Sequence, residues 1–255
     1  MASSLTVSLT VCLTELHLRP IHSLTAITVE VVLPNGTITT ASDTVNPDLF
    51  FALKGAGNDF GIVTQFRAQT YDVSPTIYGG LDIYGPEALE AIAAATTNFT
   101  ATNKDPKANV LPTFNSLAGI PGIIFLKYYD GPSPPPGTFA AFDNAGVKPI
   151  IPGARAQSFI SMVKGTPSDL QGGSRGAFHT ISLVDNSKPV MDAILKELKY
   201  YSSISLINSA TLISYDVEPF VKTYYDNSKG GAFPHSSSRP LLYALVSSSC
   251  ARPAS

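Results

Sequence analysis

The 255-residue sequence predicts an α+β fold in which an antiparallel sheet is covered by helices on one face. Two patterns lead to that expectation. Stretches of apolar–polar alternation follow one another in runs, and only a few stretches of helical spacing interrupt them. The composition agrees, with 44% apolar and 14% charged residues, which is core-forming rather than disordered.

The first strand is read from Ala26 to Leu33, where Ile27, Val29, Val31 and Leu33 alternate with Thr28, Glu30 and Val32. Pro34-Asn35-Gly36 supplies a turn, since Asn-Gly tolerates positive φ, and Thr37 to Ala41 returns as a β-branched strand. Asn46-Pro47-Asp48 opens a short helix with Asn46 or Asp48 as its cap, and Leu49, Phe50, Ala52 and Leu53 form its body. Lys54-Gly55-Ala56-Gly57 ends that helix, and a strand follows through Phe60-Gly61-Ile62-Val63-Thr64 and Phe66. Beyond Pro75 a second module begins. Strands are expected at Thr76 to Tyr84, Val110 to Leu117 and Ile123 to Tyr129, with a helix from Pro86 to Ala95 and a turn through Gly119-Ile120-Pro121-Gly122. The run Pro132 to Gly137 fits neither helix nor sheet and reads as an exposed loop. A strand from Phe178 to Val184 precedes a helix marked by Val190, Ile194, Leu195 and Leu198. Ala210 to Ser214, a helix at Phe220 to Tyr225 and a strand at Leu241 to Val246 complete the pattern.

Several function classes drop out. The net charge of −2, without a long basic run, gives no attraction to nucleic acid, and no apolar run reaches membrane-spanning length. The four histidines and two cysteines (Cys12 and Cys250) show no metal-ligand spacing, so no metal is expected. No lysine or arginine precedes Arg19, so the basic start of a signal peptide is missing. Two sequons, Asn35-Gly36-Thr37 and Asn98-Phe99-Thr100, are compatible with a secreted ancestry, and localisation stays open.

The informative stretch runs from Val31 to Thr70. Gly55 and Gly57 leave backbone bare of side chains, and Gly61 leaves a gap inside a strand. Backbone amides in such a loop can hold phosphate or carbonyl oxygens, and an ordinary helix-to-strand turn has the same glycines. Spacing alone leaves both readings open.

Asn46-Pro47-Asp48-Leu49-Phe50-Phe51-Ala52-Leu53, then Phe60-Gly61-Ile62-Val63-Thr64, resembles the second half of the FAD-binding domain of berberine-bridge-like oxidases. Tyr215-Asp216-Val217-Glu218-Pro219-Phe220 and Phe233-Pro234-His235-Ser236 resemble the substrate domain of fungal members. The likeness covers roughly residues 25 to 246. Ala56 stands at a usual glycine, and Asp59 at a usual asparagine, where a carboxylate facing inward would repel a pyrophosphate.

The resemblance implies a partial PCMH-type FAD-binding domain (its second subdomain) at 25–73, a substrate domain at 74–255 and an unmatched leader at 1–24. It implies an FAD-dependent oxidase of a small organic substrate, such as an alcohol, sugar or secondary metabolite, with molecular oxygen as acceptor. The cofactor contacts would be Gly55, Gly57, Phe60, Gly61, Ile62 and Val63, Ile62 first among them. No catalytic base is assigned; packing accounts for Tyr128, Tyr129 and Tyr215, and a turn for His235. The family's pyrophosphate loop, its Arg-x-Gly-Gly-His attachment segment and its terminal Tyr-x-Asn motif are expected to be missing. With them would go the cover over Ile27, Val29, Val31, Ile62 and Val63. Two other readings stay open: a catalytically inactive fragment, and a small-molecule binding module that keeps the substrate-domain fold.

Overall fold

The computed structural model describes residues 26–54, 59–68, 74–166, 175–183, 185–205, 207, 210–219 and 242–250. They form two compact units, one holding 26–68 and the other the remainder.

The smaller unit is an antiparallel sheet in the order β2-β1-β3, with β1 at Ala26–Val32, β2 at Ile38–Ser42 and β3 at Ile62–Ala68. The β1–β2 turn forms because Gly36 takes φ 83° and donates its N–H to the Leu33 carbonyl at 2.9 Å, while Asn35 Oδ1 accepts the Thr37 N–H at 3.0 Å. Helix α1, Pro47–Leu53, starts with proline in its first turn, where no N–H is missed. Asn46 holds the N-cap position, yet its side chain caps nothing; it donates to the Thr40 carbonyl at 2.8 Å and ties the helix start to β2. The helix buries Phe50 against Val29 and Ala41, with Leu49, Leu53 and Val63 at the margin. Val29 and Val31 are fully covered, contrary to the expectation that both lose cover, and Phe50 of α1 packs over Val29. Ile62 and Phe66 are exposed (73% and 65%), as expected for Ile62. The side chain of Ile27 lies outside the described residues. Between the pairs Val31–Val63 and Glu30–Gln65 the register slips by one, leaving Thr64 as a bulge whose hydroxyl donates to Glu30 Oε1 at 2.7 Å.

The larger unit is one antiparallel sheet of seven strands in the order β7-β4-β6-β5-β9-β10-β8. Its strands are β4 (Ile77–Tyr84), β5 (Ala108–Leu117), β6 (Ile120–Tyr129), β7 (Arg155–Gln157), β8 (Arg175–Leu183), β9 (Ala210–Glu218) and β10 (Leu242–Cys250). A 3-10 turn, Pro86–Ala88, leads into α2, Leu89–Thr102, which runs about two turns beyond the expected end at Ala95. Helices α3 (Ala140–Asp143), α4 (Phe159–Lys164) and α5 (Lys188–Ile204) follow. Ile92 and Phe99 of α2 and Ile194, Leu195 and Leu198 of α5 bury against Phe114, Phe125, Tyr215 and Val217 of the sheet. Phe142 of α3 closes this layer, its ring 4.6 Å from that of Phe125. On the opposite face α4 roofs one end, where Met162 packs on Ile77, Leu126 and Tyr128. Helical cover is thus not confined to one face. The turn between β5 and β6 is also tighter than expected: Ala118 (φ 49°) and Gly119 (φ 82°) make the whole connection. The expected loop at 132–137 is present. The expected helix at 220–225 falls outside the described residues, as do Phe233 to Ser236.

Candidate functional site

Of the six candidate cofactor contacts, Gly55 and Gly57 lie outside the described residues. Phe60 and Ile62 are exposed, and Gly61 and Val63 half-buried. Gly61 has a reason to be glycine that needs no ligand: at φ 147°, an added Cβ would sit 2.5 Å from the Val32 carbonyl oxygen and 2.8 Å from Val31 Cγ2. The close approach of β1 fills the gap. The side of this segment away from β1 is open, because among the described residues β3 has a ladder partner on one edge only. One row of its backbone N–H and C=O groups is therefore available to carbonyl and amide groups of a planar ligand. Asp59 is exposed. The residues present thus fit a flavin as one backbone-lined wall.

The larger unit offers a second set of polar groups. Along β9, Tyr215 and Val217 are buried under the helices, so Asp216 between them points to the opposite face. Its register partner on β5 is Thr113, and the next pair on that face is Ser214 with Asn115. The hydroxyls of Thr113 and Ser214 stand beside the Asp216 carboxyl and favour its charged form. Its side chain retains some exposure, yet burial among the strands outweighs that effect and pushes the carboxyl up to about 6. Strand alternation alone would have singled out Asp216, which the sequence analysis noted only as part of a matched string.

Three tyrosines do not form a reactive set. Tyr129 and Tyr215 belong to the helix-side core, and Tyr128 is buried beneath α4 with its ring edge-on to Phe159. Burial raises all three hydroxyls, Tyr215 to about 12, so each keeps its proton at neutral pH. A buried ion pair, Lys127 Nζ to Asp82 Oδ2 at 3.3 Å, lies on the helix side of the sheet. Asp82 Oδ1 also accepts the N–H groups of Gly153 (2.8 Å) and Ala154 (3.2 Å), which pins residues 153–154 to β4. With every oxygen committed, this pair is a structural staple. Among the described residues no group of three His, Cys, Asp or Glu side chains is arranged to hold a metal, and no helix is long and apolar enough to cross a membrane.

Known proteins resemble the chain in sequence and in fold, although no protein-family model matches it. An FAD-linked oxidoreductase of Arthroderma benhamiae is 36% identical over 146 residues, covering 57% of this chain and 29% of the relative. A xylooligosaccharide oxidase of Thermothelomyces thermophilus is 56% identical over 48 residues, covering 19% of this chain and 10% of the relative. An oligopeptidase of Diaporthe leptostromiformis is 28% identical over 199 residues, covering 77% of this chain and 16% of that protein. Among solved structures, 6-hydroxy-D-nicotine oxidase of Arthrobacter nicotinovorans superposes with a TM-score of 0.63 at 15% identity, over 89% of this chain and 49% of its own. Glucooligosaccharide oxidase of Acremonium strictum does so with a TM-score of 0.62 at 16% identity, over 88% and 48%. The fold is that of the flavin oxidases. In sequence the chain is similar to FAD-linked oxidoreductases, and in fold to berberine-bridge-enzyme-like structures. It spans 29% of the Arthroderma relative and about half of the solved structures.

Proposed function

We propose that the chain takes part in FAD-dependent oxidation of a small organic substrate, an alcohol, sugar or secondary metabolite, with molecular oxygen as the final electron acceptor. FAD, when bound, supplies the two-electron acceptor for hydride removed from a substrate carbon. The chain's own part is to hold and orient. The outer edge of Phe60, Gly61, Ile62 and Val63 offers backbone groups to the cofactor, while Gly61 keeps β3 seated on β1. The polar middle of the seven-stranded sheet, at the pairs Thr113–Asp216 and Asn115–Ser214, is the surface that receives the substrate. The observation that carries this reading is the one-sided pairing of β3 at the Phe60-Gly61-Ile62-Val63-Thr64 motif, which leaves that motif's backbone accessible.

A second reading, binding without chemistry, is favoured by the three buried tyrosines, none of which can accept a proton near neutral pH. Titrating purified chain into FAD and following flavin fluorescence separates the two. The oxidoreductase reading expects saturable binding that Ile62→Val leaves intact, because the backbone edge survives, and that Gly61→Val abolishes by forcing β3 off β1. No saturable binding by the unmodified chain would favour the binding-module reading instead.

A further inference from the structure

We propose that Asp216 accepts a hydrogen bond from a donor group of the substrate, a hydroxyl or an ammonium, with Thr113 and Ser214 fixing its carboxylate. The site rests on the function proposed above and adds the residue that selects the substrate. Its location follows from the strands. The β5–β9 ladder ends at the pair Thr113–Asp216, where the next residue of β5 is Pro112, which has no N–H to extend it. The two strands stop pairing beside the carboxylate, on the face opposite α2 and α5. Two half-buried side chains of that face, Leu111 and Leu212, flank the polar pairs with apolar surface. Such a floor, apolar with a few convergent polar groups, is how small-molecule sites are lined.

Asp216 also lacks the usual structural reason to be there. The ion pairs formed among the described residues do not include it. Its two hydroxyl partners leave acceptor capacity over, since a carboxylate offers about four lone-pair positions. Burial raises its pKa, so charge is kept at some cost to the fold, a pattern that clusters at functional sites. Thr113 and Ser214 orient the carboxylate, and it has acceptor positions that a hydroxyl or ammonium donor can take.

The test uses the 255-residue chain and two probes, xylobiose as a neutral hydroxyl donor and glucosamine as an ammonium donor. Binding is measured by calorimetry for the unmodified chain, for Asp216→Asn and for Thr113→Val. Asp216→Asn keeps the shape and removes the charge; loss of one charge-assisted hydrogen bond weakens binding by about tenfold or more. Thr113→Val should weaken it less, because only the orientation of the carboxylate suffers. A preference for glucosamine that fades with added salt would identify the donor as an ammonium; a salt-insensitive preference for xylobiose would identify a hydroxyl. Either supports the proposal provided Asp216→Asn lowers it. Equal affinity in Asp216→Asn, or no binding of either probe to the unmodified chain, overturns it. Flavin binding measured on the same preparations keeps the two readings apart: flavin-free protein that loses its probe on Asp216→Asn upholds this site while counting against the cofactor.

Discussion

The larger unit lays α2 and α5 across one face of seven strands, and its core there includes rings from Phe99, Phe114, Phe125 and Phe142. The smaller unit covers three strands with one seven-residue helix whose main contribution is Phe50. The difference is one of margin. Ile62 and Phe66 remain exposed in the smaller unit, and each large apolar side chain left in water forgoes roughly 1.5–3 kcal/mol of burial. A sheet of three strands has little to set against that. What the smaller unit keeps in exchange is an accessible backbone edge at the motif that carries its family likeness.

The largest expected effect lies in the larger unit. Asp82→Ala removes the main partner of Lys127, whose ammonium then has only Asp143 at 3.8 Å, and frees the Gly153 and Ala154 amides. The staple cannot be replaced by backbone adjustment, because Gly80 and Gly153 already bring β4 and residues 153–154 into contact; a Cβ on Gly153 would lie 2.2 Å from the Leu81 carbonyl oxygen. Breaking one side of a buried pair costs on the order of 3–5 kcal/mol. Urea unfolding should show that loss, with Asp82→Ala/Lys127→Met recovering part of it. A change under about 1 kcal/mol would mean the pair is not a staple.

Next comes the contrast in local stability. Hydrogen exchange should release the amides of β1, β2 and β3 at least about tenfold faster than those of β5 and β6, through opening of the smaller unit alone. Limited proteolysis should accordingly remove the first ~70 residues and spare a core beginning near Pro75. Equal protection in both units would show that the smaller one has support that α1 and Phe50 do not account for.

Where the sequence was legible, it was because one signal sufficed. Alternation placed β1, β4, β5 and β6 within a few residues, and Asn35-Gly36 marked its turn by a conformation few other pairs adopt. Residues 140–164 were not legible. Helices α3 and α4 and the three-residue strand β7 are too short to show a period, and packing on the sheet forms them rather than propensity. At the candidate site, the sequence showed that Gly61 leaves a gap but not that β1 fills it, because that neighbour lies about thirty residues away in the chain. Asp216 was passed over because its surroundings come from Thr113, about a hundred residues earlier in the chain, and no local motif contains that pairing.

A smaller effect probes Asp216 through stability. Its folded pKa of about 6 lies above the roughly 3.9 of an unfolded Asp, so the folded state holds the proton more tightly and stability falls as pH rises from about 4 to 6. Asp216→Asn should remove that decline. At pH 7.5 the variant should be more stable by on the order of 1 kcal/mol, the shift being discounted for the exposure the side chain retains. Near pH 4 the two should unfold alike. A variant less stable than the parent at pH 7.5 would show that the carboxylate contributes to the fold and is not strained by it.

The smallest expected change concerns a turn in the better-buried unit and runs in the stabilising direction. Ala118 sits at φ 49°, a left-handed conformation that costs an L-residue with a Cβ roughly 1–2 kcal/mol. It is held there because two residues, Ala118 and Gly119, must reverse the chain between β5 and β6, and a type I′ turn needs positive φ at both. The Ala118 N–H also donates to the Thr211 carbonyl at 2.8 Å, so the turn is tied to β9 and cannot relax without breaking that bond. Asparagine tolerates this conformation through its short polar side chain, and Asn-Gly is the preferred pair for such a turn. The position is exposed, so the added amide meets solvent. Ala118→Asn should therefore raise stability by roughly 0.5–1 kcal/mol, a gain of a few degrees in Tm for the larger unit, with no change in the smaller unit's hydrogen exchange. A neutral or destabilising result would show that β5 and β6 meet through a different turn, and the Leu117–Ile120 pairing would need revision.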